Sequence, residues 1–213
     1  MTAPNKRGIQ LSWQRGLLPM SLLILFVLRF GLGAPLWVIS IFLLWIPIFY
    51  IVLPMLVRRK WARFDKEFAR QFQKGEYKAL LIYYRDQWFL RKFGPKAEML
   101  GKLGLIYSAM HQYREAEDAL EKAIDHSHKS QRDKLYFNLA GVKYELGRYE
   151  DAEQILKSLR VNSPYGHSAK TQLALIDLRR GRRTQAARAF LEKKLPRTNG
   201  EVKIRIERAL AEC

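Results

Sequence analysis

The chain has 213 residues, 38 Lys and Arg against 20 Asp and Glu, a formal net charge of +18 and a single cysteine, Cys213. One cysteine excludes an intrachain disulfide and a cysteine-based metal site, and the length leaves room for one domain of about 150 residues beside a shorter segment. The basic excess is uneven: residues 1–57 hold four basic residues (Lys6, Arg7, Arg15, Arg29) and no acid, 58–96 hold twelve and four, 97–166 ten and eleven, and 167–213 twelve and five.

After a basic N-terminal segment, residues 1–15, comes the stretch Gly16 to Val57, in which Arg29 is the only charge. Gly31-Leu32-Gly33-Ala34-Pro35 divides it into two apolar blocks, 16–30 and 36–57. Glycine and proline between apolar runs are turn chemistry, and a bilayer crossing takes about 20 apolar residues, so the pattern predicts an N-terminal transmembrane helical hairpin. The second block is long enough to span with some tilt, with Pro47 and Pro54 as kink points; the first is short and draws on Trp13 and Gln14. Arg29, at the end of that block with no acid before Asp65, is expected to snorkel to headgroups. The basic flanks Lys6, Arg7 and Arg15, and then Arg58, Arg59, Lys60 and Arg63, predict an integral protein of a bacterial inner membrane, with both termini in the cytoplasm. A cleaved signal peptide is the competing reading of the first block; Arg29 directly after its apolar core and Pro35 near the cut argue against it. Arg58, Arg59, Lys60 and Arg63 are expected to meet lipid headgroups.

Beyond Lys60 the apolar residues take a helical period, and a self-similarity emerges. From Leu100 the chain reads Leu100-x2-Leu103-Gly104-x2-Tyr107, then Tyr113, Ala116-x3-Leu120 and Ala123. Thirty-six residues on come Tyr136-x2-Leu139-Ala140, Gly147-x-Tyr149, Ala152-x3-Leu156 and Pro164, with Lys143 at the position of Tyr107. Thirty-four further on come Lys170-x2-Leu173-Ala174, Gly181 and Ala186-x3-Phe190, with Asp177 at that position. Thirty-six residues before the first copy lies a degenerate one: Phe64, Gly75-Glu76-Tyr77 and Leu80-x3-Tyr84, with Glu67 and Leu80 where Leu and Ala are expected.

This pattern resembles the tetratricopeptide repeat, a helix-turn-helix unit of about 34 residues. Added to the predicted transmembrane hairpin, the resemblance implies an all-α chain: after the hairpin a juxtamembrane basic, degenerate repeat (58–96), then an α-solenoid over 97–199 with units at 97–132, 133–166 and 167–199. A capping helix over 200–213, with Val202, Ile204, Ile206 and Leu210, would close it. Small residues at Gly104, Ala116 and Ala123 let paired helices approach.

The resemblance also implies a concave groove lined by the first helix of each unit. Carrying the family's groove positions onto this chain gives Glu98, Gly101, Leu105, Ser108 and Ala109, then Lys134, Phe137, Gly141, Tyr144 and Glu145, then Ser168, Thr171, Leu175, Leu178 and Arg179. Phe137 and Tyr144 share one helical face at spacing seven; they either contact a ligand or pack against the terminal helix or a neighbouring repeat. The lysine and asparagine set with which some members clamp a terminal carboxylate is missing, so an apolar or amphipathic protein ligand fits better.

Arg179-Arg180-Gly181-Arg182-Arg183 reads as a solvated turn rather than a nucleic-acid site, having no stacking aromatic. Glu115, Glu117, Asp118 and Glu121 read as a solvated helix face. His126 and His128 diverge on a helix without a completing ligand set, and no phosphate loop, nucleophile elbow or carboxylate pair occurs, so no cofactor, metal or enzymatic activity is expected. The sequence-level expectation is a membrane-anchored adaptor that recruits a protein partner through its groove. The alternatives are an accessory subunit acting through the membrane hairpin and a tethered RNA- or ribosome-binding protein.

Overall fold

The computed structural model describes residues 20–212 apart from 22, 32, 34, 160–163 and 199. The basic segment 1–15 with Trp13 and Gln14, the start of the first apolar block, and Cys213 lie outside the described residues. Every regular element described is helical, and the chain divides into two compact units, residues 1–99 and 100–213.

In the first unit, helical residues from Met20 end in a π-helical turn, Val27–Gly31, that carries Arg29. Pro35 precedes α1, Leu36–Pro47, and its carbonyl accepts from the Val38 amide at 3.0 Å. A second π-helical turn, Ile48–Val52, separates α1 from α2, Leu53–Lys74. Proline has no amide hydrogen, so Pro47 and Pro54 each delete a rung of the helical ladder on either side of that turn. The hydrogen bonding slips to the wider register between them.

This overturns the transmembrane hairpin and with it the integral-membrane localisation. Among the described residues no helix is long and apolar enough to cross a membrane. The apolar helix α1 has 12 residues, about 18 Å at 1.5 Å each, against a hydrocarbon core of about 30 Å. The helix that follows is longer, but Arg58, Arg59 and Lys60 enter it within two turns.

Burial in the first unit is concentrated on one face of α2. Val57, Trp61, Phe64 and Phe68, spaced as one helical stripe, are buried with Leu80 and Tyr84 of α3, Tyr77–Asp86, and Leu90 of α4, Trp88–Phe93. Phe64 is the hub: its ring lies 5.5 Å from Trp61, 6.0 Å from Phe68, 6.4 Å from Tyr84 and 5.7 Å from Tyr83, on which it stacks. Offset and tilted aromatic pairs at such separations add to what burial alone contributes.

In the second unit, helices follow in pairs: α5, Lys96–Ala109, whose last ten residues belong here, with α6, Tyr113–Asp125; α7, Lys129–Glu145, with α8, Tyr149–Ser158; α9, Gly166–Arg179, with α10, Thr184–Lys194. A short 3-10 turn, Leu195–Arg197, leads to α11, Glu201–Ala211. Gly104 sits where α5 meets α6: a Cβ there would stand 2.6 Å from Leu120 Cγ and 3.3 Å from the Ala116 carbonyl oxygen. Only glycine permits that approach. Ala140 and Ala174, both buried, hold the corresponding positions of α7 and α9.

One turn recurs. At Gly75, His111, Gly147 and Gly181 the chain enters the left-handed region, with φ of 77°, 60°, 75° and 65° respectively. The next amide then reaches back five residues: Glu76 to Gln71 at 3.2 Å, Gln112 to Tyr107 at 2.9 Å, Arg148 to Lys143 at 2.9 Å, Arg182 to Asp177 at 2.8 Å. This is the Schellman closure, which satisfies carbonyls a helix end would leave unpaired.

Candidate functional site

The solenoid's core forms successive clusters. Ala116, Leu120 and Ala123 of α6 pack with Leu135, Leu139 and Val142 of α7. Ala140, Ala152, Leu156, Leu159, Ala169 and Ile176 form the next. In the last, Leu175 and Leu178 of α9 meet Ala187 and Leu191 of α10, and Ile206 and Ala209 of α11 complete it.

That last cluster decides much of the expected groove. Leu175 is buried under α11, and Tyr144 packs against the same cluster. Arg179 donates from Nε to the Tyr144 hydroxyl at 3.4 Å and pairs with Glu212. Glu145 pairs with Arg205 of α11 at 3.0 Å, both side chains about four-fifths buried. Gly141 leaves the space into which these side chains reach: a Cβ there would lie 3.5 Å from Gln172 Nε2 and 3.9 Å from Arg205 Nη1. The expected groove positions Gly141, Tyr144, Leu175 and Arg179 are therefore brought together, but beneath or beside the chain's own terminal helix. Of the four apolar residues expected to cap, Ile206 is buried and Leu210 half-buried, while Val202 and Ile204 are exposed.

The remaining positions divide. Phe137 stacks on Tyr165 at 5.5 Å and packs against the cluster around Ile176. Gly101 is buried, with its Cβ position 2.9 Å from Leu135 Cδ2. Leu105 is half-buried and Lys134 exposed, so these two remain accessible. Burial pushes the Tyr144 phenol up, opposed by the Arg179 guanidinium, and it pushes the Tyr165 phenol up with help from Asp133.

The acids on α6 are not all solvated. Lys122 bonds Asp118 at 2.7 Å on the surface, but Glu117 turns toward the next repeat, accepting from Lys143 at 2.6 Å and from Arg148. Burial pushes the Glu117 carboxyl up, and the two cationic donors more than offset it, leaving the group below the ordinary range. One repeat on, Glu153 holds the equivalent place, bonded by Lys157 and Arg182 at 2.6 Å each and by Arg180 at 3.2 Å. The bonds from Lys157 and Arg182 hold its carboxyl low. Arg180 also pairs with Glu150. The five-residue basic turn thus spends Arg179, Arg180 and Arg182 on internal pairs. Sequence reasoning missed this ladder, although its signal was present: Glu117 and Glu153 stand 36 residues apart, each facing a cation that replaces or follows the repeat tyrosine.

Arg58, Arg59, Lys60 and Arg63 are exposed on α2, and Lys60 Nζ sits 4.9 Å over the Phe89 ring. The bilayer that would have given them headgroups to meet is not supported, since no described helix can span one. His111 Nδ1 lies 2.7 Å from the Tyr113 hydroxyl, and His128 caps α7 by accepting from the Ser130 amide at 3.5 Å.

Among known families, the one described as "Tetratricopeptide repeat" matches residues 95–160, the stretch that spans α5 to α8. Residues 95–160 are accordingly similar to a class of repeat that generally mediates protein–protein interaction. No curated protein matches the sequence.

Proposed function

We propose that this protein is an interaction scaffold whose solenoid receives a partner protein along the face presented by α5, α7 and α9, and that it binds rather than catalyses. The observation that carries this reading is the stacking of helix pairs through one repeated turn, which sets Leu105, Lys134 and Arg179 on the first helices of successive units. Leu105 and Lys134 keep accessible surface there, while the second helices α6 and α10 carry surface ion pairs of the ordinary kind, Lys122–Asp118 and Arg188–Glu192. A mixed apolar and charged lining without a carboxylate clamp favours a helix or an internal segment of a partner over a chain terminus.

The test is site-specific photo-crosslinking from the intact chain. A crosslinker at Leu105 or Lys134 is expected to trap one partner band that crosslinkers at Lys122 and Glu192, on α6 and α10, do not. Equal trapping from both sides, or trapping from Lys122 and Glu192 alone, would contradict the reading.

A further inference from the structure

Within that scaffold reading, the way α11 sits says what the solenoid takes. It meets α9 with only Ile206 and Ala209 fully buried, Leu210 beside them, and Val202 and Ile204 exposed. Its charged residues bracket that short apolar contact: Arg205 on Glu145 of α7, Glu212 on Arg179 of α9. The helix is entered through Gly200, at φ 67° and ψ −146°, a conformation reserved for glycine. Beneath this arrangement the Gln172 side-chain oxygen, close to Gly141, is buried without a hydrogen-bond partner. A helix end resting on two apolar anchors and two charge pairs is the pattern of a helix-in-groove complex made within one chain.

We infer that α11 is a resident stand-in and that the partner's binding element is an amphipathic helix of the same chemistry, which takes its place. That element carries a basic residue directly before an apolar anchor, a small residue three positions after the anchor, and an acid three further on, as in Arg205-Ile206-x2-Ala209-x2-Glu212. Glu145 reads the base, Arg179 reads the acid, and the cluster around Leu175 and Leu191 takes the anchors. Reversed polarity would place like charges together at both ends, so the site also fixes the direction of the helix.

The probe is a fluorescein-labelled peptide of residues 200–212, titrated into the full-length chain and followed by anisotropy. In the native chain the tethered α11 outcompetes it, because attachment gives α11 a high effective concentration. Two full-length variants release α11: Ile206→Glu, and Arg205→Glu with Glu212→Arg, which leaves the apolar contacts in place should the first variant lose its fold. Each is expected to bind the peptide at least tenfold more tightly than the native chain, with unchanged far-UV circular dichroism. A peptide carrying the two reversed charges is expected to bind only when Glu145→Arg and Arg179→Glu are added to the Ile206→Glu chain, whose own α11 then faces like charges and stays released. Equal, weak binding by native and released chains would overturn the inference while leaving the crosslinking from Leu105 and Lys134 to judge the scaffold reading separately. Concentration-dependent dimerisation of the released chain, seen by light scattering with no peptide bound, would also overturn it, assigning the site to a second copy's α11.

Discussion

The hairpin of α2 and α3 and the hairpin of α5 and α6 close with the same turn and pack around opposite seams. Gly75 and His111 both enter the left-handed region, and the amides after them bond back to Gln71 and Tyr107. Yet the residue 36 before Gly104 is Phe68, and the residue 36 before Ala116 is Leu80. One seam is glycine and alanine against Leu120; the other is Phe64, Phe68, Leu80 and Tyr84, all buried. Turn chemistry makes the hairpin, while the size of the seam residues sets how its helices pack. A stack of repeats needs the small seam, since each unit must offer its neighbour the same flat pair of helices.

Substitutions that exchange or empty the seams sharpen the contrast. All five tryptophans lie in residues 1–99, so tryptophan fluorescence follows the first unit while far-UV circular dichroism follows both. Phe64→Ala is expected to cost about 3–5 kcal/mol in urea unfolding followed by fluorescence, the range for emptying a buried aromatic site. Loss of under 1 kcal/mol would mean the aromatic hub is decorative. Gly104→Phe, which puts the first seam's residue into the second, should lose about 3 kcal/mol, the upper end for overpacking, because even a Cβ must displace Leu120. Its fluorescence midpoint should stay put while the dichroism transition moves.

Ion pairing gives the next contrast. Glu117 couples α6 to α7 and is largely covered, so Glu117→Gln is expected to cost about 1–2 kcal/mol, between the exposed and buried ranges. Because Glu117 and Glu153 are held below their ordinary value of 4.5, their contribution is present above that pH and fades as pH falls through the lowered folded values. A Glu117→Gln, Glu153→Gln double variant should therefore show a flatter loss of stability below about pH 4.5 than its parent. An unchanged acid limb would contradict the ladder.

The turn itself supplies the smallest effects, and they should have opposite signs. Gly147→Ala meets no atom within 4 Å, so its cost of about 1 kcal/mol is backbone strain alone. His111→Gly relieves the same strain and should gain about 0.5–1 kcal/mol, less what the His111–Tyr113 contact at 2.7 Å supplies. Melting of the full chain checks both, and equal signs would show that the turn is not what limits either position.

The hairpins were legible because their signals are local. A period of 34 to 36 residues, a small residue at Gly104 and a Gly-x-Tyr turn can each be read without knowing the fold. The apolar stretch before them was misread for the complementary reason. Hydropathy counts apolar residues, whereas a crossing needs an unbroken helix, and Pro47 and Pro54 bracket the π-helical turn Ile48–Val52 that ends α1 at 12 residues. At two of the family's groove positions the spacing left ligand contact and packing open. Phe137 and Tyr144, read as possible ligand contacts, are packed, on Tyr165 and against the α11 cluster, so replacing them with glutamate would test the core and not the binding face. Nothing local in Val202, Ile204, Ile206 and Leu210 tells which of them faces α9. That depends on Arg205 reaching Glu145, a contact across 60 residues.

Hydrogen exchange of the intact chain reads directly whether α11 occupies the proposed binding face as an exchangeable helix. Amides of residues 203–211 are expected to be protected in the native chain and to exchange at the rate of the free peptide in the Arg205→Glu, Glu212→Arg variant, while α7 keeps its protection. Free-peptide exchange of α11 in the native chain, or full protection surviving the charge reversal, would contradict the account.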